Sequence, residues 1–138
     1  MQMPLHYLLH YTEEHIYKWV QTEAAKCGMT PGQPKILDFL STHEGCEQKL
    51  IAQECCMQPS TVTGIIRRMR ENGLVRCDHA KDNRKSYQVF LTEKGREAQK
   101  EADRIFNAAQ QKLIRGISPQ EQDVFMQTLI KLYHNAIE

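Results

Sequence analysis

Between Gln58 and Asn72 the side chains divide into two chemically opposite sets. Thr61, Thr63, Gly64, Arg67, Arg68 and Arg70 fall to one side, with Ser60 just ahead of them, and offer hydroxyls, uncovered backbone and guanidinium forks; no carboxylate comes before Glu71. Val62, Ile65, Ile66 and Met69 keep the i, i+3, i+4, i+7 spacing of a helix buried along one stripe. Pro59 suits the first helical position and Gly73 the position past the end, so the spacing predicts a short helix with defined limits. Arginine binds guanine edges or phosphates and Ser/Thr bind either, so this outer face suits the major groove of DNA. A solvated amphipathic helix would show the same two faces, and the flanking segments must decide.

Those segments supply a frame. From about Cys46 to Cys55 a helix is expected to bury Leu50 or Ile51, Ala52 and Cys55, and only Cys56 and Met57 separate it from Gln58-Pro59. Two short helices joined by so tight a turn, the second polar outside, make a helix-turn-helix. After Gly73, Leu74 to Cys77 reads as a strand and Tyr87 to Leu91 as its partner. The polar stretch Asp78 to Ser86 between them holds Lys81, Arg84 and Lys85, so a β-hairpin with a basic tip is expected. Upstream, Thr30-Pro31-Gly32-Gln33 has the capping-box pattern and opens a helix with Ile36, Leu37 and Leu40 inward and Phe39 beside them. Long helices are expected at both ends. One runs from about Pro4 to Cys27, with Leu5, Leu8, Leu9, Ile16, Trp19, Val20 and Ala24 in a stripe and Tyr7, Tyr11 and Tyr17 mostly off it. Another, capped by Thr92, reaches about Arg115 with Ala98, Ala102, Ile105, Ala109 and Leu113 along one side. Ser118-Pro119-Gln120-Glu121 is a second capping box, and the helix it opens is apolar at Phe125, Leu129, Leu132 and Ala136 and also at Met126, Ile130, Tyr133 and Ile137. So wide an apolar surface on a small protein is most simply covered by a second copy.

A chain of 138 residues, 41% of them hydrophobic, can bury one good core, so a single domain is expected. The net charge of +1 points to no partner by itself, but residues 60–90 hold seven Lys/Arg against three Asp/Glu while residues 1–57 hold four against seven. Positive charge therefore gathers on the segment that would meet nucleic acid. No apolar run approaches the roughly 20 residues of a membrane span, and the first residues lack the layout of a signal peptide, so a cytoplasmic protein is expected. Cys27, Cys46, Cys55, Cys56 and Cys77 are odd in number and irregular in spacing, which fits reduced thiols.

The order helix, helix, helix-turn-helix, basic hairpin, long helix, capped helix resembles the MarR family of winged helix-turn-helix regulators over nearly the whole chain. The matching stretches are Leu50-Ile51-Ala52, Pro59-Ser60-Thr61-Val62-Thr63, Asn72-Gly73-Leu74-Val75, Asp82-Asn83-Arg84-Lys85 and Leu91-Thr92-Glu93-Lys94-Gly95. The resemblance implies a mainly α (α+β) fold, with a winged helix-turn-helix DNA-binding lobe over residues 30–92 and helical dimerisation regions over 1–29 and 93–138. It implies a homodimer on double-stranded DNA with a pseudo-palindromic operator. Ser60, Thr61, Thr63, Gly64, Arg67 and Arg68 would enter the major groove; Arg84, flanked by Lys81 and Lys85, would meet the minor groove. The chain departs from the family pattern at four places. Cys56 stands where a glycine usually makes the turn, at a cost of about 1 kcal/mol if the backbone there is left-handed. Gly64 replaces a commonly basic residue, Asn83 falls where the wing acid most often lies, and Pro34 takes the place of an aromatic.

The expected function is a sequence-specific DNA-binding transcriptional regulator, a repressor, released from DNA by a small aromatic or anionic effector. Tyr11, His15, Trp19, Phe39 and Phe106 are the candidates to line the effector's cleft, although core packing would account for most of them. Oxidant sensing through cysteine is the alternative input; Cys46, near a helix N-terminus, is the thiol best placed for a lowered pKa, with Glu47 opposing. His6 and His10, or Glu23, Cys27 and His43, could approach one another, but the long helix from Glu93 carries no histidine to complete a zinc site, and no metal or cofactor is expected. From other classes, a thiol-dependent enzyme or a protein-interaction module would leave the basic hairpin without a purpose. No catalytic triad, phosphate loop or carboxylate pair stands out, and no enzyme is expected.

Overall fold

The computed structural model describes residues 2–80 and 83–138, with residues 80 and 83–85 described by their backbone. Its elements run α1 (Leu5–Lys26), α2 (Gln33–Leu40), β1 (Cys46–Glu47), α3 (Gln48–Glu54), α4 (Pro59–Glu71), β2 (Val75–Ala80), β3 (Asn83–Leu91), α5 (Glu93–Leu113) and α6 (Pro119–Ile137). The small sheet is antiparallel in the order β1-β3-β2. This is a mainly helical winged helix-turn-helix.

The core gathers where α2, α3, α4 and the sheet meet. Ile36, Leu37, Leu40, Ile51, Val62, Met69 and Val89 are fully buried, and Val20 and Ala24 of α1 with Ala102, Ile105 and Ala109 of α5 extend the same cluster. In α3 the inward residue is Ile51, while Leu50 faces outward. Small side chains on α5 let α1 and α2 lie close against it.

Val89 on the central strand is paired with Cys46 on one side and Cys77 on the other. Two strand spacings of about 4.8 Å separate those cysteine backbones, which is beyond the reach of a disulfide.

The start of α5 is knitted to the end of α4. The Thr92 hydroxyl accepts from the Gly95 amide at 3.0 Å and donates to the Gly73 carbonyl, while the Lys94 ammonium donates to the Asn72 carbonyl at 2.7 Å. Gly95 lies so close to Leu74 that a Cβ there would overlap the Leu74 carbonyl oxygen. The Arg96 guanidinium binds both oxygens of Glu44, at 2.9 and 3.2 Å, and Glu44 Oε1 also accepts from the Leu91 amide at 2.8 Å. Hydrogen bonding from Arg96 holds the Glu44 carboxyl below its ordinary value.

Three expectations need correction. The capping box at Thr30 is only half made: the Gln33 side chain accepts from the Thr30 amide at 3.4 Å, but the Thr30 hydroxyl is buried without a partner. Gly32, at φ +86°, turns the chain first, so α2 begins at Gln33 with Gly32 as its N-cap. The stretch from Cys46 is not helical at once, because Cys46 and Glu47 pair with β3. The hairpin strands also extend further than Cys77 and Tyr87, to Ala80 and from Asn83, with an irregularity between His79 and Ala80. By contrast, both halves of the Ser118–Glu121 capping box form.

Candidate nucleic-acid interface

The sequence of α4 places its chemistry. Val62, Ile65, Ile66 and Met69 are buried, which turns the rest of the helix outward. Ser60, Thr61, Thr63, Arg67 and Arg68 are exposed, and Gly64 is half-exposed with open space where a Cβ would stand. Arg68 and Arg70 lie in the last turn, where positive charge complements the helix dipole. The Thr63 hydroxyl has the Pro59 carbonyl at 3.0 Å and Gln48 Oε1 at 3.2 Å as acceptors. Cys56 makes the turn into this helix at φ +53°, the only non-glycine with positive φ among the described residues.

Arg84 and Lys85 lie at the start of β3. The backbones of Arg84 and Lys85 follow Asn83, which pairs with Ala80 beside the tip; their side chains and the whole of Lys81 lie outside the described residues. At the base, Arg76 is already engaged, 3.1 Å from Asp78 and 4.6 Å above the Phe90 ring. It is therefore held in the sheet.

The five residues considered for an effector cleft are spread along the packing of α1, α2 and α5. Tyr11 and His15 are exposed on α1, with the His15 Nδ1 2.7 Å from the Tyr11 carbonyl. Trp19, Phe39 and Phe106 are half-buried against the core; the Lys112 ammonium lies 6.0 Å over the Trp19 ring, and Phe39 stacks on His43 at 4.2 Å. An open depression of about 400 Å³ beside α2 includes Phe39, with Lys35, Asp38 and Cys55, and none of the other four.

Burial raises the Cys46 thiol, opposite to the expectation from a helix N-terminus, because β1 draws it into the sheet. Burial likewise raises Cys77 and pushes Cys55 up to about 11. Cys27 and Cys56 are exposed, and the Cys27 thiol lies 3.9 Å from Glu101 Oε2. Among the described residues, no three of His, Cys, Asp and Glu gather as a metal site would need. Among them, no helix is long and apolar enough to cross a membrane.

Residues 29–87, spanning α2 to the middle of β3, match the model of the MarR family. The transcriptional regulator HosA of Escherichia coli is 27% identical over 128 residues, covering 92% of each chain. An HTH-type transcriptional repressor of Mycobacterium bovis is 24% identical over 129 residues, covering 94% of this chain and 93% of its own. The structure of the S. aureus MepR–DNA complex superposes with a TM-score of 0.87 at 19% identity, covering 97% of this chain and 99% of that one. The fold is that of a winged helix-turn-helix protein, with hydroxyls and guanidiniums on the outward face of α4. Over residues 29–87 the chain is similar to the MarR family.

Proposed function

We propose that this chain is a homodimeric repressor that reads a pseudo-palindromic operator in the cytoplasm and leaves DNA when a small aromatic or anionic effector binds. The observation that carries the reading is the two-sided chemistry of α4: a fully apolar inner stripe fixes the helix, and hydroxyls, an open glycine and the exposed guanidiniums of Arg67 and Arg68 face outward. Residues 30–92 act as the DNA-binding lobe, with Ser60, Thr61, Thr63, Gly64, Arg67 and Arg68 in the major groove. Lys81, Arg84 and Lys85 belong to the wing, which meets the adjacent minor groove. MepR, which shares the fold, is named in its structure as a complex with DNA.

Residues 1–29 and 93–138 act as the dimerisation region. α6 has no buried residue, and Val124, Phe125, Ile130, Tyr133 and Ile137 each keep more than half of their surface exposed. Leu5 and Leu8 of α1 are similarly bare. A second copy covers both faces and roofs the exposed half of α1, so that Tyr11, His15 and Trp19, with Phe39 and Phe106 below, line an effector cleft. The raised thiols of Cys46, Cys55 and Cys77 count against oxidant sensing at those positions.

The test is a gel shift and footprint on DNA upstream of the protein's own coding region. Two protected half-sites centred about 10 base pairs apart are expected from a two-fold dimer. Protection of one asymmetric half-site at stoichiometric protein, or no shift at all, overturns the reading.

A further inference from the structure

We infer that Gln48, outside the recognition helix, is a specificity-determining residue that reads an adenine in each half-site; the inference rests on the DNA-binding reading above. Gln48 opens α3 on the other side of the turn from α4, and it is half-buried. Its Oε1 lies 3.2 Å from the Thr63 hydroxyl on the outward face of α4. Gln48 also lines a groove of about 220 Å³ with Glu47, Lys49, Ser86 and Tyr87. One side chain therefore touches the recognition helix on one flank and borders the outer half of the hairpin, at Ser86 and Tyr87, on the other.

An unrestrained surface glutamine samples many rotamers and presents no fixed pattern of donors and acceptors. The single proton of the Thr63 hydroxyl has two acceptors within reach, the Pro59 carbonyl at 3.0 Å and Gln48 Oε1 at 3.2 Å, and when it is given to Oε1 it sets the plane of the amide. That oxygen has two lone pairs, so one remains free, and both amide hydrogens remain to be given. An acceptor beside a donor is the complement of the adenine edge in the major groove, where N6 donates to Oε1 and N7 accepts from Nε2. Thr63 acts on this contact as a positioning residue. The reading surface is thus composed from α3 and α4 together.

The experiment uses the full chain. Wild-type protein selects duplexes from a random pool, and affinities are then measured for every single-base variant of the selected site with wild type, Gln48→Met, Gln48→Glu and Thr63→Val. Methionine keeps the shape of glutamine without its hydrogen bonds, so folding is preserved while the contact is removed. Wild type should prefer adenine at one position of each half-site by about 10-fold, the size of a good bidentate contact. Gln48→Met should flatten that position and leave the others unchanged. Gln48→Glu, with acceptors only, should move the preference to cytosine, whose N4 amine donates. Thr63→Val should narrow the preference at the same position. If Gln48→Met keeps the full preference, or loses affinity equally for every duplex, the assignment is wrong and the DNA-binding reading stands. A wild type that enriches no duplex overturns the DNA-binding reading itself, and this assignment with it.

Discussion

Gly64 leaves a gap in the outward face of α4 that no neighbouring atom fills. In a helix interior, glycine costs about 1 kcal/mol relative to alanine. Gly64→Ala should therefore raise the unfolding midpoint in urea while weakening DNA binding, because the added methyl stands where the duplex backbone would approach. A variant that gains stability and binds DNA as well as wild type would show that the gap has no role in docking. Arg67 and Arg84 should separate by a different measure. Arg67 is exposed one turn past Thr63, so if it holds a base edge rather than a groove-lining phosphate, Arg67→Ala should cost about 1 to 3 kcal/mol and relax preference at one position in each half-site. A minor-groove arginine senses groove width and potential, so Arg84→Ala should weaken all sites alike and make the salt slope shallower by about 1 per subunit. Affinities across salt concentrations on the true site and its single-base variants decide; an untouched salt slope in Arg84→Ala removes the hairpin from the interface. The outward residues of α4 were legible in sequence because the buried stripe Val62, Ile65, Ile66 and Met69 fixes which way the helix faces. Gln48 was not, since its contact with Thr63 crosses a turn and follows no helical spacing.

Helices with a capping residue and a clean stripe were legible nearly to the residue, as α4 to α6 show. What escaped was structure settled by distant partners. Cys46 and Glu47 are too few to alternate, and only pairing with Gln88 and Val89 makes them a strand. Asp78, His79 and the residues after Asn83 are polar, so nothing in their pattern marked them as strand; the ladder continues through backbone pairing regardless. At the turn into α4, Cys56 does adopt the left-handed conformation that a glycine would take more easily. Cys56→Gly should therefore stabilise the protein by about 1 kcal/mol, read as a raised urea midpoint with an unchanged slope. An unchanged midpoint would mean that the thiol makes up for the strain. The Glu44–Arg96 pair joins the approach to β1 with α5, and its pH dependence has a definite sign. Glu44 titrates below its ordinary value of 4.5 in the folded chain, so its contribution is full above that value and disappears as pH falls through the lowered one. The stability gap between wild type and Arg96→Ala should be present at pH 7 and should narrow on acidification below 4.5. A gap that stays constant across that window would remove the pair as its source.

At the scale of the whole molecule, α6 buries nothing within its own chain and offers a face of Val124, Phe125, Ile130, Tyr133 and Ile137 to solvent. An exposed apolar face of this kind is an association surface, and folding of such a subunit is tied to assembly. Sedimentation should give twice the chain mass, and the thermal midpoint should rise with protein concentration. Ending the chain at Gly116 should give aggregation or unfolding, because the already exposed Leu5 and Leu8 would lose the cover that the proposed second copy supplies; a soluble, well-folded monomer from that truncation would refute the dimer. The single tryptophan of the chain, Trp19, stands on α1 with the Lys112 ammonium of α5 over its ring. Indole emission changes colour when a nearby charge shifts, so any sliding of α1 against α5 is written into the light this one side chain emits. The molecule thus carries its own optical gauge, and movement of α1 against α5 can be followed in real time without a label.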